Sequence, residues 1–133
     1  MQTGIYYWIG YPLSCEERFR MIKNAGFDNV MLWWGDEFIE LTGPKEAIPD
    51  LARSFGLNVE NVHLPYEHTN LLWLDTDDSE EIINRHMNAV DGCASQGIDT
   101  MVLHITSGDT PPPVNETGLN RLSRLFERAE NLV

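Results

Sequence analysis

Three short segments of the chain repeat one pattern, in which a helix ends at a glycine and an apolar residue follows. They read A-G-F-D at 25–28, F-G-L-N at 55–58 and Q-G-I-D at 96–99. Glycine closes helices because it adopts the left-handed conformation without a steric cost. The spacing of the repeats is that of units in which a helix joins two parallel strands. The chain is therefore predicted to repeat a strand–helix unit.

The apolar patterns around these repeats predict four strands and four helices in strict alternation. Runs of β-branched and aromatic residues predict the strands, and caps followed by helical apolar spacing predict the helices. Such alternation gives a parallel α/β sheet with right-handed crossovers, here one domain over residues 1–133. The predicted strands are Gly4–Gly10, Asn29–Trp34, Val59–Leu64 and Thr100–Thr106, and the predicted helices begin near Ser14, Pro44, Asp77 and Leu119.

Two of the predicted helices carry further detail. Ser14 and Glu17 have the spacing of a capping box, in which two side chains and two backbone N–H groups bond reciprocally. The last helix is predicted to run to the final residue and to bury an apolar stripe. That stripe consists of Leu119, Leu122, Phe126 and Ala129.

Two architectures fit this alternation, a small open sheet and part of an eight-stranded βα barrel. In the second strand, Val30, Leu32 and Trp34 share one face, whereas Met31 and Trp33 share the other. The other strands divide in the same way, with aliphatic residues opposite aromatic or polar ones. A barrel strand has one face toward helices and one toward the interior, and complete barrels need roughly 250 residues. The pattern favours a (βα)4 half of a TIM barrel, and Trp34 is then expected in the core.

Charge and apolar patterning exclude several classes of protein. The 133 residues contain 9 Lys and Arg against 21 Asp and Glu, a net charge of −12, so a nucleic-acid or anionic-membrane surface is not expected. No apolar run approaches the ~20 residues of a membrane span, and the N-terminus lacks the pattern of a signal peptide. The 2 cysteines, Cys15 and Cys93, are interpreted as reduced and partly buried thiols. A cytoplasmic location is therefore expected.

His63 and His104 are the strongest candidates for chemistry. Each lies near the carboxyl end of a predicted strand, where parallel βα folds place their active sites. Because adjacent strands lie ~4.8 Å apart, the two imidazoles could share one divalent cation. A catalytic metal site usually takes three protein ligands, so the pair is an incomplete set. The nearby loop residues Asp36, Glu37, Glu67 and His68 are further candidates, although their spacing does not select among them.

Aromatic residues are numerous for so short a chain, and some fall on the predicted interior face. Tyr6, Trp8 and Trp33 could line a pocket there. Their flat apolar rings with polar edges suit sugar rings, although ordinary core filling remains the alternative for each. The acidic stretch 75–81 is interpreted as a helix N-terminus favoured by the helix dipole. The chain contains no phosphate-binding loop, G-x-G-x-x-G, C-x-x-C or nucleophile-elbow motif.

Three motifs in register resemble the xylose isomerase-like barrels, a superfamily that includes sugar phosphate isomerases and epimerases. G-F-D-N-V-M-L-W at 26–33 is similar to the second-strand signature G-F-D-G-V-E-L-W. H-L-P-Y at 63–66, followed by Asn70 and Leu71, is similar to the third-strand H-x-P-Y…N-L. L-H-I-T-S-G at 103–108 is similar to the fourth-strand V-H-P-G-S. The resemblance extends over the whole chain and implies the N-terminal half of such a barrel.

The resemblance implies that His63 and His104 lie in or beside a divalent-metal site, with Mn, Zn or Mg as the cation. It also implies substrate contacts for Tyr66 and Asn70. Two departures from the family pattern matter. Met31 stands where the second strand usually has Glu, and the carboxylate ligands of the family lie on later strands, beyond this sequence.

Two classes of function follow from these observations. The first is an isomerase or epimerase of a small sugar or sugar phosphate, completed by a homodimer in which two half barrels pair. Exposed strand edges favour that dimer, whereas its doubled negative charge opposes it. The second is a non-catalytic sugar-binding half barrel or a truncated remnant. The sequence does not identify the residues that would act as acid and base.

Overall fold

A computed structural model describes residues 1–108 and 110–132. The strands alternate with helices along the chain, and two 3-10 segments, Lys45–Ala47 and Thr69–Trp73, lie between the main elements. The strands are β1 (Gly4–Tyr6), β2 (Asn29–Trp33), β3 (Asn58–His63) and β4 (Met101–Val102). The α-helices are α1 (Cys15–Asn24), α2 (Ile39–Thr42), α3 (Ile48–Ser54), α4 (Asp77–Ser95) and α5 (Glu116–Glu130).

The four strands form one parallel sheet in the order β1-β2-β3-β4. Each strand therefore pairs with the next one along the chain, as successive βα units do in a barrel. The register shifts once, because the consecutive residues Val30 and Met31 of β2 pair with Val59 and Asn61, which leaves Glu60 as an extra residue in β3. The predicted fold class is confirmed, because four parallel strands alternate with helices in an open (βα)4 arrangement.

The first and last strands are shorter than their sequence patterns predict. The pattern predicts Gly4–Gly10, but β1 ends at Tyr6, and Gly10 has a positive φ of 83° that is incompatible with an extended strand. The pattern predicts Thr100–Thr106, but β4 ends at Val102. His104 therefore lies in the loop after β4 rather than in a strand.

The helical predictions are confirmed in part. The capping box at α1 is present, with the Ser14 N–H donating to Glu17 at 3.0 Å and the Glu17 N–H donating to Ser14 Oγ at 3.3 Å. The α4 helix begins at Asp77, as predicted, with Thr76 as its N-cap. The region before Gly56 is instead divided into α2, a 3-10 turn and α3: α2 ends at its C-cap Gly43, which has a φ of 73°, and Pro49 lies in the first turn of α3, where proline is tolerated.

Close contacts divide the chain into two compact units, and each is described separately. The sheet unit comprises Met1–His63 and Ile98–Val102, and the helical unit comprises Leu64–Gly97 and Leu103–Val133. In the sheet unit, α1 and α3 pack together and α3 packs on β2 and β3. Its core contains Phe19, Val30, Leu32, Trp34 and Val62, none more than 4% exposed. The prediction that Trp34 lies in the core is confirmed.

The helical unit is organised around α4, α5 and the 3-10 helix Thr69–Trp73. These three segments contact one another, and the apolar core between them includes Leu72, Trp73, Ile83 and Val90. Gly118 in α5 lies directly on the Trp73 indole: a Cβ there would fall 2.1 Å from Trp73 Cε3. Close packing of α5 on Trp73 therefore requires glycine at this position.

The predicted apolar stripe of α5 is wrong at two of its four residues, because Leu122 and Ala129 are half-buried but Leu119 and Phe126 are exposed. Leu119 and Phe126 are 50% and 64% exposed, whereas the helix buries Gly118, Arg121 and Leu125. Arg121 lies inward because its guanidinium donates to the Leu72 and Leu74 carbonyls at 3.0 and 2.6 Å. The prediction that this helix runs to the last residue is wrong, because α5 ends at Glu130 with Asn131 as its C-cap; Val133 itself lies outside the described residues.

Both cysteines are buried and unpaired, as predicted for reduced thiols. Burial raises the pKa of Cys15 to about 11 and that of Cys93 to about 12. Neither thiol is therefore an ionised nucleophile near neutral pH. Among the described residues, none of the helices is both long and apolar enough to span a lipid bilayer.

Candidate functional site

In the sheet unit, Trp33 and His63 lie side by side at the carboxyl ends of their strands. They are partners in the register of β2 and β3. Their rings stack with centroids 5.4 Å apart and planes inclined by 18°. The two side chains therefore share the sheet face opposite the aliphatic residues, as the alternation of the strands predicts.

The Trp33 indole is fixed at its edge by a carboxylate. Its Nε1–H donates to Glu37 Oε2 at 2.5 Å. Gly35 makes room for this bond, because a Cβ there would lie 2.1 Å from the same carboxylate oxygen and 2.4 Å from Trp33 Nε1. The predicted loop candidate Glu37 is thus engaged with the strand that it follows.

Both faces of the Trp8 indole are covered. The Phe38 ring stacks on it with centroids 4.1 Å apart, and the Arg18 guanidinium carbon lies 4.1 Å from the Trp8 centroid. Two groups at this height cannot occupy the same face, so the indole lies between them. A sugar at Trp8 would contact the edge of the ring rather than a face.

Arg18 is a buried cation that the sequence does not single out. Its side chain is fully buried beside Tyr7 and donates to the Tyr11 carbonyl at 3.3 Å. Within residues 1–108 and 110–132, its Nε and Nη1 have no hydrogen-bond partner. Burial raises the pKa of Tyr7 above its ordinary value despite this cation. The cation–π contacts therefore stabilise a charge that hydrogen bonds satisfy only in part.

Two further side chains complete the described face of the sheet. Tyr6 is partly buried, with its ring edge toward Tyr7 at 5.8 Å. Asn61 is the register partner of Met31 and lies two residues before His63 in β3. Its Oδ1 atom is buried and accepts no hydrogen bond from any described residue. A buried acceptor without a donor is costly, so Asn61 is a candidate polar contact that sequence reasoning missed.

In the helical unit, Tyr66 and His104 form a second aromatic pair. Their ring centroids are 5.3 Å apart, and both side chains are exposed. The His104 loop is held by the 3-10 helix: Trp73 Nε1 donates to the Ile105 carbonyl at 2.6 Å. Side-chain bonds to backbone therefore position this loop.

Asn70 holds the same loop through both ends of its amide. Its Nδ2 donates to the Ser107 carbonyl at 2.7 Å, and its Oδ1 accepts from the Ser107 N–H at 2.9 Å. The predicted substrate contact at Asn70 stays a prediction, and it would use the remaining hydrogen-bonding capacity of the amide.

The other loop candidates have separate surroundings. Asp36 is paired with Lys45 at 2.5 Å. Glu67 accepts at its backbone carbonyl from Arg85 at 2.9 Å. His68 adopts the left-handed conformation, with φ of 63°, at the start of the 3-10 helix. No three His, Cys, Asp or Glu side chains of the described residues are grouped so as to hold a metal ion.

The structure brings the predicted site residues together in two groups. The first group is the pair Trp33 and His63 in the sheet unit, where Tyr6 and Trp8 lie outside the pair. The second group, in the helical unit, consists of Tyr66, Asn70 and His104. An imidazole beside an aromatic face can bind a hydroxyl-bearing ring by stacking and hydrogen bonding. Neither group contains an identified acid–base pair, and the sharing of one cation by the two histidines stays a prediction.

Comparison with known proteins gives structural relatives only. No family model matches the sequence. No curated protein matches it either. Among solved structures, D-psicose 3-epimerase from Clostridium cellulolyticum H10 matches with a TM-score of 0.68 and 13% identity over 99% of this chain and 50% of that chain. L-ribulose 3-epimerase matches with a TM-score of 0.71 and 14% identity over 99% of this chain and 47% of that chain.

A xylose isomerase domain containing protein from Salmonella typhimurium LT2 has a TM-score of 0.65 and 21% identity, over 97% of this chain and 45% of that chain. The chain thus spans about half the length of the solved structures that it matches. These likenesses confirm the predicted fold, half of a TIM barrel, and agree with the resemblance in the sequence.

Proposed function

We propose that the chain is half of a sugar isomerase or epimerase barrel that binds a small sugar or sugar phosphate at the carboxyl ends of its strands. The observation that carries the proposal is the Trp33–His63 stack at the ends of β2 and β3, within a fold like that of sugar epimerases. In parallel βα folds, this end of the sheet holds the ligand. The net charge of −12 favours a sugar over nucleic acid as the ligand.

The chemistry of the site supports a neutral polyol ligand. His63 is a partly exposed imidazole that stacks on the buried Trp33 indole, and Asn61 Oδ1 accepts no hydrogen bond from a described residue. A sugar hydroxyl at Asn61 would satisfy that atom. Isomerisation and epimerisation both move a proton at a carbon next to a carbonyl. The acid and base for that step are not identified in this chain.

A divalent cation is part of the proposal, but the described residues do not fit a complete site. Two histidines are fewer than the three protein ligands of an open catalytic centre, and among residues 1–108 and 110–132 no three His, Cys, Asp or Glu side chains are grouped so as to hold a metal ion. We therefore derive no step through a metal. His63 and His104 are proposed as two of its ligands, with the others provided by the opposite half of the barrel.

A second copy of the chain is proposed to provide that half. The outer edges of β1 and β4 are unpaired among the described strands, and such edges pair readily with other strands. A two-fold dimer would place β4 of each copy beside β1 of the other and close eight strands. Repulsion between two chains of charge −12 opposes this assembly, so it should strengthen with salt.

The assembly is tested by light scattering on a sizing column at low and high salt. We expect twice the chain mass of 15.2 kDa at high salt. Val102→Lys, on the edge strand β4, should abolish the dimer, whereas Val114→Lys, on a residue that is 70% exposed and outside any strand, should not. A monomer at every salt concentration would contradict pairing of two half barrels.

Sugar binding is tested by tryptophan fluorescence with D-tagatose and D-fructose, which accompany two of the solved epimerases. Binding should weaken in His63→Ala and in Trp33→Leu but not in Glu40→Ala, on exposed α2. Absence of binding to both sugars in the dimer would contradict the proposal. Metal-independent binding without turnover would favour the second candidate, a non-catalytic sugar-binding half barrel.

Buried, unpaired Cys15 and Cys93 also support a reducing compartment such as the cytoplasm. Fractionation of the source cells would test that location.

A further inference from the structure

We infer that Glu37 is a positioning residue that fixes the Trp33 indole and, through it, the plane of the His63 imidazole. The inference rests on the proposed function, because it assigns the Trp33–His63 stack to the ligand face. It adds a residue that contacts neither the sugar nor a cation. All the residues concerned lie within the sheet unit.

A hydrogen bond from the indole edge holds the Trp33 ring. Trp33 is only 8% exposed, yet its Nε1–H reaches a carboxylate oxygen of Glu37 at 2.5 Å. Hydrogen bonds to ionised acceptors are shorter and roughly twice as strong as neutral ones. Because Nε1 lies away from the Cα–Cβ axis, holding this atom fixes the rotation of the ring about its side-chain bonds.

Gly35 leaves the space for this bond. A Cβ at residue 35 would lie 2.1 Å from Glu37 Oε2, 2.4 Å from Trp33 Nε1 and 2.9 Å from Glu37 Cδ. The bonded pair therefore lies against the Gly35 backbone, and any larger residue would displace both groups. Glycine, glutamate and tryptophan at these three positions act as one unit.

The ring stack connects that unit to His63. With its edge held by Glu37, the indole presents a face to the imidazole at 5.4 Å and 18°. Offset stacking of this kind has a preferred geometry, so rotation of the indole would change the orientation of the imidazole. The same carboxylate therefore acts on His63 through Trp33.

The test is nuclear magnetic resonance of the His63 ring protons in the metal-free protein at one pH. In the parent protein, the ring current of Trp33 should shift these protons upfield. Glu37→Ala should remove part of that shift and lose the hydrogen-bonded indole signal of Trp33. Glu37→Gln should retain both, because its amide oxygen still accepts the same N–H. Glu40→Ala is the matched control, as it removes one exposed carboxylate of the neighbouring helix.

Two further variants separate the carboxylate from the indole. Gly35→Ala should reproduce the Glu37→Ala spectrum, since its Cβ displaces the carboxylate. In a Trp33→Phe background, which lacks the N–H, Glu37→Ala should cause no further change at His63. Unchanged His63 signals in Glu37→Ala, or a Glu37→Gln spectrum like that of Glu37→Ala, would overturn the inference. His63 signals that depend on Glu37 but respond to neither Mn²⁺ nor sugar would contradict the proposed function instead.

Discussion

The two histidines that the sequence assigns to one role are held in different ways. His63 ends β3, a strand paired with both β2 and β4, and its ring stacks on Trp33. His104 follows the two-residue strand β4, in a loop held by side-chain bonds from Trp73 and Asn70. Equivalent positions in successive βα units are thus stabilised by the sheet in one case and by side chains in the other. The loop should be the more vulnerable of the two.

The largest effect on this comparison is expected from Trp73→Ala. The substitution empties a site that is 3% exposed, against which α5 packs at Gly118, and it removes the bond to the Ile105 carbonyl. Truncation of a buried tryptophan costs about 3–5 kcal/mol. Urea unfolding should show this loss, and the His104 signals should shift while the His63 signals remain. A shift of the His63 signals as large as that of the His104 signals would show that the two histidines are not held independently.

Asn70→Ala should have the next largest effect. It leaves the N–H and the carbonyl of Ser107 without their partner. Loss of a partner costs about 1–3 kcal/mol for a buried group, and part of that cost remains here because the site is half-buried. Asn70→Asp is the matched control, since it keeps the acceptor and loses the donor. Its stability should lie between those of Asn70→Ala and the parent protein. An Asn70→Ala protein as stable as the parent would show that the two Asn70–Ser107 hydrogen bonds do not hold the loop.

In the sheet unit, Asn61→Val should raise the stability of the fold rather than lower it. Its buried Oδ1 accepts no bond from a described residue, so removing it should stabilise the fold by about 1–2 kcal/mol. Valine also suits a strand. The same substitution should weaken sugar binding in the fluorescence titration. Lower stability with unchanged binding would show that Asn61 is structural rather than a ligand contact.

The smallest effect is a pH dependence specific to the helical unit. His86 is 1% exposed, its Nδ1 bonds the Ile82 carbonyl at 2.8 Å, and its Nε2 has no partner among the described residues. Burial lowers its pKa below the ordinary value of 6.5.

Below that value, the unfolded chain binds the proton more readily than the folded chain. The contribution of His86 to the free energy of unfolding is therefore complete above pH 6.5. It is lost as the pH falls below 6.5 toward the lower pKa of the folded state, by at most about 1.4 kcal/mol per pH unit. His86→Gln should flatten this part of the profile, as measured by thermal unfolding from pH 5 to 8. If stability changes with pH as steeply in His86→Gln as in the parent, groups other than His86 cause the pH dependence.

The sequence predicted the order of the elements because glycine-ended helices and alternating strand faces are local patterns. It placed Trp33 and His63 on one face correctly, since the period of a strand is two residues. It misplaced the buried face of α5, because Gly118 and Arg121 are not apolar. Gly118 is buried because α5 packs closely on the Trp73 indole. Arg121 is buried because its guanidinium bonds the Leu72 and Leu74 carbonyls.

The roles of Glu37, Asn61 and Trp73 were not predictable in the same way. Each depends on a contact that the spacing of residues in the chain does not specify. Trp73 bonds a carbonyl 32 residues away. Glu37 was predicted only as a loop candidate, because its bond to Trp33 needs the space that Gly35 provides. Patterns locate elements, whereas side-chain contacts between elements need the folded backbone.

The proposed role of His63 and His104 as metal ligands can be tested by calorimetric titration of the metal-stripped protein with Mn²⁺. We expect saturable binding in the parent, with one ion for each completed site. His63→Ala and His104→Ala should each abolish it, whereas His68→Ala, on an exposed loop residue, should not. Absence of binding in the parent dimer, or binding that survives either histidine substitution, would contradict the account.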